Sequence, residues 1–246
     1  MNNMINANGI RGRLRRWRRL LRDARHLARS AHELMRTLMA TPLIPDRVSL
    51  VLRHADFKPI QLECELVQFI EQVEMRQPRT ILEIGTARGG MTLLLASTVR
   101  PKAHIVTIDL MLDWPRRRAL NSLSNAQRRF YPIRGNSASS KVIKSVAKIA
   151  RHVGGFDVIF IDGDHTLRGV CSDFGVYSQF AAANAVIAFH DIMPDGRVRD
   201  QKQRPEWVGD VPLLWRAVCQ AFPERTSEII ADPSQHGYGI GLFYWM

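Results

Sequence analysis

The sequence predicts an α/β protein built around a mostly parallel, seven-stranded sheet with helices on both faces. Short apolar runs alternate along the chain with segments whose apolar residues recur at helical spacing. Each later strand follows a helix, which is the pattern of parallel strands joined by right-handed crossovers. A chain of 246 residues, of which 46% are hydrophobic, suits one large α/β domain with an appendage.

The appendage is a basic segment at the N-terminus. Residues 1–40 contain ten arginines against Asp23 and Glu33, so this segment carries +8 of the net charge of +12. Residues 11–40 are predicted as one long amphipathic helix, which Pro42 follows. Its apolar stripe takes steps of three and four residues through Trp17, Leu21, Ala24, Ala28, Ala31, Met35 and Leu38. We therefore divide the chain into a basic helical extension (1–45) and a main domain (46–246).

The main domain alternates helices and strands in chain order. Residues 46–59 give a mixed pattern and are interpreted as a connector, and the polar residues 192–210 as a long loop. Helices are predicted at 60–77, 90–99, 116–129, 138–152, 167–180 and 211–221. Strands are predicted at 80–84, 104–110, 130–135, 156–162, 184–191, 227–231 and 239–245.

Bulk features exclude several classes of protein. The sequence has no apolar run long enough for a membrane span, and its N-terminus lacks the pattern of a secretory signal. Three widely spaced cysteines indicate buried thiols in a reducing compartment rather than a disulfide framework. We expect a cytoplasmic protein, with peripheral contact at the inner face of the membrane as an alternative because the N-terminal helix is basic.

Acidic residues follow four of the predicted strands. Strand ends carry Glu83, Asp109, Asp162 and the pair His190–Asp191. In an open parallel sheet, ligands bind beyond the carboxyl ends of the strands. The loop in LEIGTARGG is a weak signal alone, but a carboxylate at Asp109 can accept both hydroxyls of a ribose. The loop lacks the third glycine of a dinucleotide site, which argues against NAD.

The stretch FDVIFIDGDH places two carboxylates and His165 at the mouth of a buried strand. Burial of a charge is costly unless it is paired or ligated, which favours a chemical role. Structural interpretations stay open beside it. Asp162 could instead cap a helix and Asp191 a loop. His165 could be an inert surface histidine, and His190 a structural histidine that is hydrogen-bonded but not a ligand.

These motifs resemble one protein family. The pattern E-x-G-x-x-x-G before an acidic strand end, with IDGDHT (161–166) and AFHD (188–191), resembles class I S-adenosylmethionine (SAM)-dependent methyltransferases. The similarity spans about residues 60–245 and is greatest to the branch of small-molecule and sugar O-methyltransferases and cephalosporin-hydroxylase-like proteins. It implies a Rossmann-like fold and SAM as the cofactor.

The resemblance also implies roles for individual residues. Asp109 would bind the ribose of SAM, Asn136 and Ser137 would lie against its adenine, and His165 would be the general base. Asp162, Asp191 and His190 would hold a divalent metal, with Mg²⁺ expected and Mn²⁺ or another ion if His190 ligates. The remaining implied cofactor-binding residues are Glu83, Gly85, Thr86, Ala87, Gly89 and Asp162.

The sequence thus predicts a SAM-dependent O-methyltransferase that acts on a hydroxyl of a small acceptor, a saccharide or a glycosylated natural product. One alternative is an RNA methyltransferase that uses the arginines, and another is a non-catalytic module that docks on a membrane or partner. For residues 11–40 we expect packing or homo-oligomerisation first and contact with a membrane second. Nucleic acid is disfavoured because Trp17 is the helix's only aromatic residue for stacking. The loop at 192–210 and the N-terminal segment would shape the acceptor pocket.

Overall fold

A computed structural model describes residues 2–195 and 208–246, with side chains from residue 12 onward. The described residues form eight α-helices around a single sheet. The helices are α1 (Asn2–Ala40), α2 (Ile44–Leu52), α3 (Glu63–Arg76), α4 (Gly90–Ser97), α5 (Trp114–Ser122), α6 (Ser140–Val153), α7 (Leu167–Tyr177) and α8 (Val211–Ala221). The strands are β1 (Thr80–Ile84), β2 (Ala103–Asp109), β3 (Arg128–Arg134), β4 (Phe156–Ile161), β5 (Ala181–His190), β6 (Thr226–Ile229) and β7 (Ile240–Tyr244).

The seven strands lie in the order β3-β2-β1-β4-β5-β7-β6. Neighbouring strands from β3 through β5 are parallel, whereas β7 runs antiparallel to both β5 and β6. This confirms the predicted mostly parallel sheet. The chain order reverses at β1, which lies between β2 and β4, and such a switch point is where ligands bind in open α/β sheets.

Each face of the sheet is covered by its own hydrophobic core. Ile81 and Ile105 project into a core that helices α1 to α5 supply, and Leu82 and Val106 into one that α6 to α8 supply. Successive residues of a strand alternate between these cores because side chains point to opposite faces with a period of two. Burial on both faces explains why the strands are continuous apolar runs in the sequence.

Helix α1 begins earlier than the sequence predicts, at Asn2, and ends at Ala40 as expected. Its C-terminal half packs on the domain, with Ala24, Ala31 and Leu38 buried. The prediction that the extension packs on its own domain is confirmed for this half. The boundary between extension and domain at residue 45 stays a prediction.

Two connections differ from the expected pattern. The predicted connector at 46–59 contains helix α2, which starts with Pro45 in its first turn and buries Val48 and Val51. Helix α5 ends at Ser122, and β3 begins at Arg128. The side chain of Asn125 makes the turn between them by accepting hydrogen bonds from the backbone N–H groups of residues 127 and 128.

Other expectations give mixed outcomes. Cys64 and Cys171 are exposed and Cys219 is half-buried, so the expectation of buried thiols is wrong.

Only the ends of the predicted 192–210 loop are described, and its proposed role in shaping the acceptor pocket lies largely outside the described residues. Among the helices that the structure describes, none combines the length and the apolar character that crossing a bilayer requires.

Candidate active site

The carboxyl ends of β1, β2, β4 and β5 meet at one edge of the sheet, where two cavities adjoin. The first, here the β2-side cavity, has a volume of about 430 Å³ and is lined by Asp109, Leu110, Asn136, Ser137, Gly163 and Asp164 among others. The second, the β5-side cavity, has a volume of about 350 Å³ and is lined by Gln61, Thr86, Met91, His190, Asp191 and Tyr238 among others. The two share the lining residues Ile60, Gly85, Ala87, Asp162 and His165.

Gly85 holds the ends of β1 and β4 together beneath both cavities. Its φ of +99° lies in a region that L side chains rarely adopt, and a Cβ there would meet the carbonyl oxygen of Asp162 at 1.8 Å. The backbone N–H of Asp162 in turn donates to the carbonyl of Ile84 at 2.8 Å. A side chain at position 85 would therefore displace Asp162, so glycine is required here for the placement of the site.

Glu83 is a fully buried carboxyl group behind the glycine loop. Its Oε2 accepts hydrogen bonds from the hydroxyls of Thr92 and Thr107, the latter at 2.5 Å. Its Oε1 has no partner among the described residues. Burial raises the pKa of Glu83 to about 7 against the opposing effect of the threonine hydrogen bonds.

Asp109 stands at the end of β2 and lines the β2-side cavity. Its Oδ2 accepts from the N–H of Ala87 at 2.8 Å, and its Oδ1 accepts from the N–H of Met111 at 2.6 Å. These bonds hold the carboxylate in place, and each oxygen keeps a further lone pair for a hydroxyl group. Asn136 and Ser137, after β3, line the same cavity.

Asp162 lies where the two cavities meet. Its Oδ2 accepts a hydrogen bond from Nε2 of Gln61 at 2.7 Å. Its Oδ1 is 3.3 Å from Nε2 of His165 and 3.3 Å from Nδ1 of His190. Burial alone would raise the pKa of Asp162, but the two imidazoles outweigh burial and lower it, so the group is a carboxylate.

Asp191 completes a cluster around this carboxylate. Its Oδ2 is 3.4 Å from Nδ1 of His190 and 3.6 Å from Nδ1 of His165. One ligand-type atom each from Asp162, His165 and Asp191 lies within 4.8 Å of the others. Two carboxylates and an imidazole are a donor set that suits divalent ions. The set contains His165 in place of the predicted His190.

His190 is buried between the two carboxylates and is only 3% exposed. Burial alone would lower its pKa, but Asp162 and Asp191 outweigh burial and raise it. Its Nδ1 is directed at both carboxylates, and its Nε2 is buried with no partner among the described residues. The geometry supports donation by Nδ1–H to the two carboxylates, which holds them together, while the predicted ligand role stays a prediction.

Backbone strain is concentrated around the β5-side cavity. Three of its lining residues have positive φ without being glycine, namely Ala87 (44°), Asp191 (61°) and Tyr238 (60°). This conformation costs roughly 1–2 kcal/mol for an L-residue, and such strain is typical of functional sites. At Asp191 it turns the chain at the end of β5, where the carboxylate reaches the cluster.

Comparisons with known proteins identify the domain that carries this site. Residues 82–192 match the protein family described as "Methyltransferase domain". An O-methyltransferase from Bacillus cereus in complex with SAH has a TM-score of 0.54 at 19% identity, over 84% of this chain and 92% of that one. Residues 82–192 are similar to a methyltransferase domain, and the whole sheet has the fold of class I methyltransferases. The resemblance to class I SAM-dependent methyltransferases is thereby confirmed, whereas no curated protein is significantly similar in sequence to the chain.

Two further solved structures share the fold. The O-methyltransferase TomG from Streptomyces achromogenes, involved in tomaymycin synthesis and in complex with SAM, has a TM-score of 0.52 at 18% identity, covering 84% of this chain and 91% of TomG. MycE from the mycinamycin biosynthetic pathway, in complex with Mg, SAH and mycinamycin VI, has a TM-score of 0.53 at 16% identity. That match covers 83% of this chain and 55% of MycE. At these identities the similarity shows the fold alone.

The methyltransferase domain brings most of the predicted cofactor residues to one place. Gly85, Ala87, Asp109, Asn136, Ser137 and Asp162 line the β2-side cavity. Thr86 lines the β5-side cavity and its buried hydroxyl contacts that of Thr107. Glu83 lies behind the glycine loop, and Gly89 precedes the first turn of α4. Their roles toward SAM stay predictions.

Four residues of the methyltransferase site were missed by the sequence reasoning. Gln61 contacts Asp162 across a hundred positions of sequence, and Tyr238 comes from the turn before β7. Behind the β2-side cavity, Tyr177 donates to the carbonyl of Ser137 at 2.7 Å, and buried Asp173 accepts from the Ser137 hydroxyl. Burial raises the pKa of Asp173 to about 6. Asp173 and Tyr177 could have been found from the sequence, because a polar residue on the buried face of a helix is unusual. No local sequence signal marks Gln61 or Tyr238.

Proposed function

We propose that the protein is a SAM-dependent O-methyltransferase that acts on a hydroxyl of a small acceptor, a saccharide or a glycosylated natural product. The observation that carries the proposal is the junction of the two cavities at Asp162 and His165. A donor in the β2-side cavity and an acceptor in the β5-side cavity would meet at this junction. Methyl transfer is an in-line displacement and needs such an arrangement of the two reactants.

The β2-side cavity suits SAM in size and in chemistry. Its volume of about 430 Å³ falls in the range of small-molecule sites. The Asp109 carboxylate supports binding of the ribose hydroxyls, and the Asn136 amide supports hydrogen bonding to the adenine amino group. Glu83, buried next to the glycine loop, is proposed to act at the methionine end of SAM as the family resemblance implies.

His165 is the proposed general base. An alcohol attacks poorly until its proton is removed, and a neutral imidazole is matched to that task near neutral pH. The tautomer that donates its Nε2–H to Asp162 leaves the other ring nitrogen basic. As the C–S bond to the sulfonium breaks, the acceptor oxygen gains the methyl group, His165 gains the hydroxyl proton and SAH leaves.

A divalent cation is part of the proposal. Asp162 and Asp191 would hold it through their oxygens, together with an imidazole of His165 or His190. When bound, such an ion lowers the pKa of an acceptor hydroxyl that contacts it. Mg²⁺ is expected from the two carboxylates, and an imidazole ligand would favour Mn²⁺ or another transition metal. If His165 is the base, its loss lowers turnover, whereas if it is a ligand, its loss lowers metal affinity.

The acceptor class is inferred from the β5-side cavity. Its volume of about 350 Å³ suits one sugar-sized group, and Tyr238 and the exposed Ile60 offer apolar surfaces against which a ring can pack. The complex of MycE with Mg, SAH and mycinamycin VI supports a natural-product acceptor and a metal as part of this proposal.

The proposal is tested by an acceptor screen with methyl-labelled SAM, run with and without a chelator. On an acceptor found this way, we expect His165→Ala to lower turnover by about 10²–10⁴-fold while the SAM dissociation constant stays unchanged. The matched control is His152→Ala, which removes an exposed histidine at the end of α6 and should leave both quantities unaltered. Chelation should stop turnover, and one divalent ion should restore it.

Each alternative outcome has a distinct meaning. Normal turnover in His165→Ala excludes His165 as the base, and a loss of metal affinity in that variant identifies it as a ligand instead. Failure to bind SAM would favour a non-catalytic docking module on this fold. Label transfer to RNA and to no small acceptor would favour the RNA methyltransferase alternative.

A further inference from the structure

Helix α1 extends beyond the domain on which its C-terminal half packs. Its apolar stripe continues toward the N-terminus from Ala24 through Leu21, Trp17 and Leu14 at the same steps of three and four residues. Ala24 is 2% exposed, whereas Leu21, Trp17 and Leu14 are 41%, 56% and 52% exposed. We name residues 12–22 the α1 overhang. It presents to solvent the same stripe that is a buried packing surface further along the helix.

The α1 overhang is strongly basic as well as apolar. Between residues 12 and 22 the side chains include six arginines and no acid. Trp17 meets Trp114 at the start of α5 in an edge-to-face contact with centroids 6.2 Å apart, and both Arg117 and Arg118 beside Trp114 are exposed. The guanidinium of Arg118 lies over the Trp114 ring, 5.6 Å from its centroid. The exposed apolar stripe is therefore bordered by cationic side chains from two helices.

This combination of charge and apolarity determines the kind of partner that fits. A second copy of the same surface would bring two sets of arginines together, which is unfavourable in contact. A nucleic acid would pair with the arginines but leave Leu14 and Leu21 exposed to water. An anionic lipid surface accommodates both, because the leucines and Trp17 enter the interface while the arginines reach the headgroups.

We propose that the α1 overhang docks the protein on the surface of an anionic membrane. The helix lies in the plane of the interface, with Leu14, Trp17 and Leu21 facing the lipid. Each arginine close to an anionic surface strengthens binding by about fivefold, so the interaction is sensitive to salt. The apolar residues of α1 that are buried between Ala24 and Leu38 attach this anchor to the rest of the domain.

The test is sedimentation of the full-length protein with lipid vesicles. Vesicles of phosphatidylcholine alone are compared with vesicles that also contain phosphatidylglycerol, at low and at high NaCl. We expect binding to the anionic vesicles and its loss at high salt. The double variant Leu14→Gln/Leu21→Gln keeps the charge and the helix propensity and should weaken binding at least about tenfold.

A matched control uses the same kind of change elsewhere on the surface. Met75→Gln/Leu213→Gln replaces two apolar residues that are 70% and 52% exposed, on α3 and α8, and should bind vesicles as the unmodified protein does. Circular dichroism of each variant checks that α1 stays helical.

Several results would overturn the proposal. These are an absence of anionic vesicle binding, equal binding by the Leu14→Gln/Leu21→Gln variant, and a mass in solution that is dimeric for the unmodified protein but monomeric for that variant. Tighter binding to an RNA or DNA oligonucleotide than to vesicles, unaffected by the two leucine changes, would identify nucleic acid as the partner instead. No arm of the test measures methyl transfer, so its outcome is independent of the proposed function.

Discussion

The two cavities of the candidate active site are built differently, although they share Asp162 and His165. The β2-side cavity draws its polar residues from the carboxyl ends of β2, β3 and β4 or the few positions after them, such as Asp109 and Asn136. The β5-side cavity adds Gln61 from before α3 and Tyr238 from before β7. The first cavity therefore follows from the sheet itself, and the second depends on segments outside the parallel strands.

This difference indicates how such a fold can keep one cofactor and change its acceptor. Residues at the ends of parallel strands are positioned by the sheet and tolerate little movement, whereas loops carry much of a protein's functional variation. The strained backbone at Asp191 and Tyr238 belongs to the β5-side cavity and not to the β2-side cavity. If the two cavities are separable, substitutions in one should leave the ligand of the other unaffected.

The largest expected effect concerns Glu83, whose buried carboxyl lies behind the glycine loop. Burial disfavours the charged form and raises the pKa of Glu83 from its ordinary value of 4.5 to about 7 in the folded protein. The folded state thus holds a proton that the unfolded state releases, and this group lowers stability as pH rises from about 4.5 to about 7. The loss amounts to about 3 kcal/mol above pH 7.

Glu83→Gln removes this loss. We expect the variant to be more stable than the unmodified protein by about 3 kcal/mol more at pH 8 than at pH 4.5. Urea unfolding at the two pH values measures the difference, and contributions from other groups cancel in it. SAM affinity should fall in the same variant. This result would show that Glu83 lowers the stability of the fold but contributes to SAM binding. A pH-independent difference in stability would contradict the assigned protonation.

The next effect concerns Asp109 in the β2-side cavity. Asp109→Asn removes one charged acceptor for the ribose, and we expect SAM affinity to fall by about 10–100-fold in calorimetry. The apparent KM for the acceptor should stay unchanged. The control is Asp113→Asn, four residues after Asp109. This change keeps the N-cap of α5 because Asn caps a helix as well as Asp does. Equal SAM affinity in the two variants would exclude Asp109 as a ribose ligand.

The smallest effect concerns Gln61 in the β5-side cavity. Gln61→Leu removes the hydrogen bond to Oδ2 of Asp162, so we expect turnover to fall by about tenfold with unchanged SAM affinity. Gln68→Leu, on the exposed face of α3, is the matched control. If SAM affinity falls as much as turnover in Gln61→Leu, a change in the β5-side cavity affects the ligand of the β2-side cavity, and the two cavities are not separable.

The sequence predicted the sheet better than the connections around it. Thr80–Ile84 and Val211–Ala221 were placed at their observed bounds, because continuous apolar runs and helical periodicity are local signals. Helix α2 was missed, since its nine residues are too few to show a clear period. In the site, acids at strand ends were found because buried strands rarely carry them.

The amino-acid sequence by itself determined the strands, their mostly parallel direction and the acids at their ends, because the alternation of strands and helices and the residues that follow each strand are local signals. Tertiary structure alone decided that Gln61 reaches Asp162 and that His165 lies between two carboxylates. It also decided that the apolar stripe of α1 is buried from Ala24 onward and exposed at Leu14, Trp17 and Leu21. The physical reason is that these features depend on distances between residues far apart in sequence. Periodicity fixes which way a side chain points from its own element, and packing fixes what it meets there.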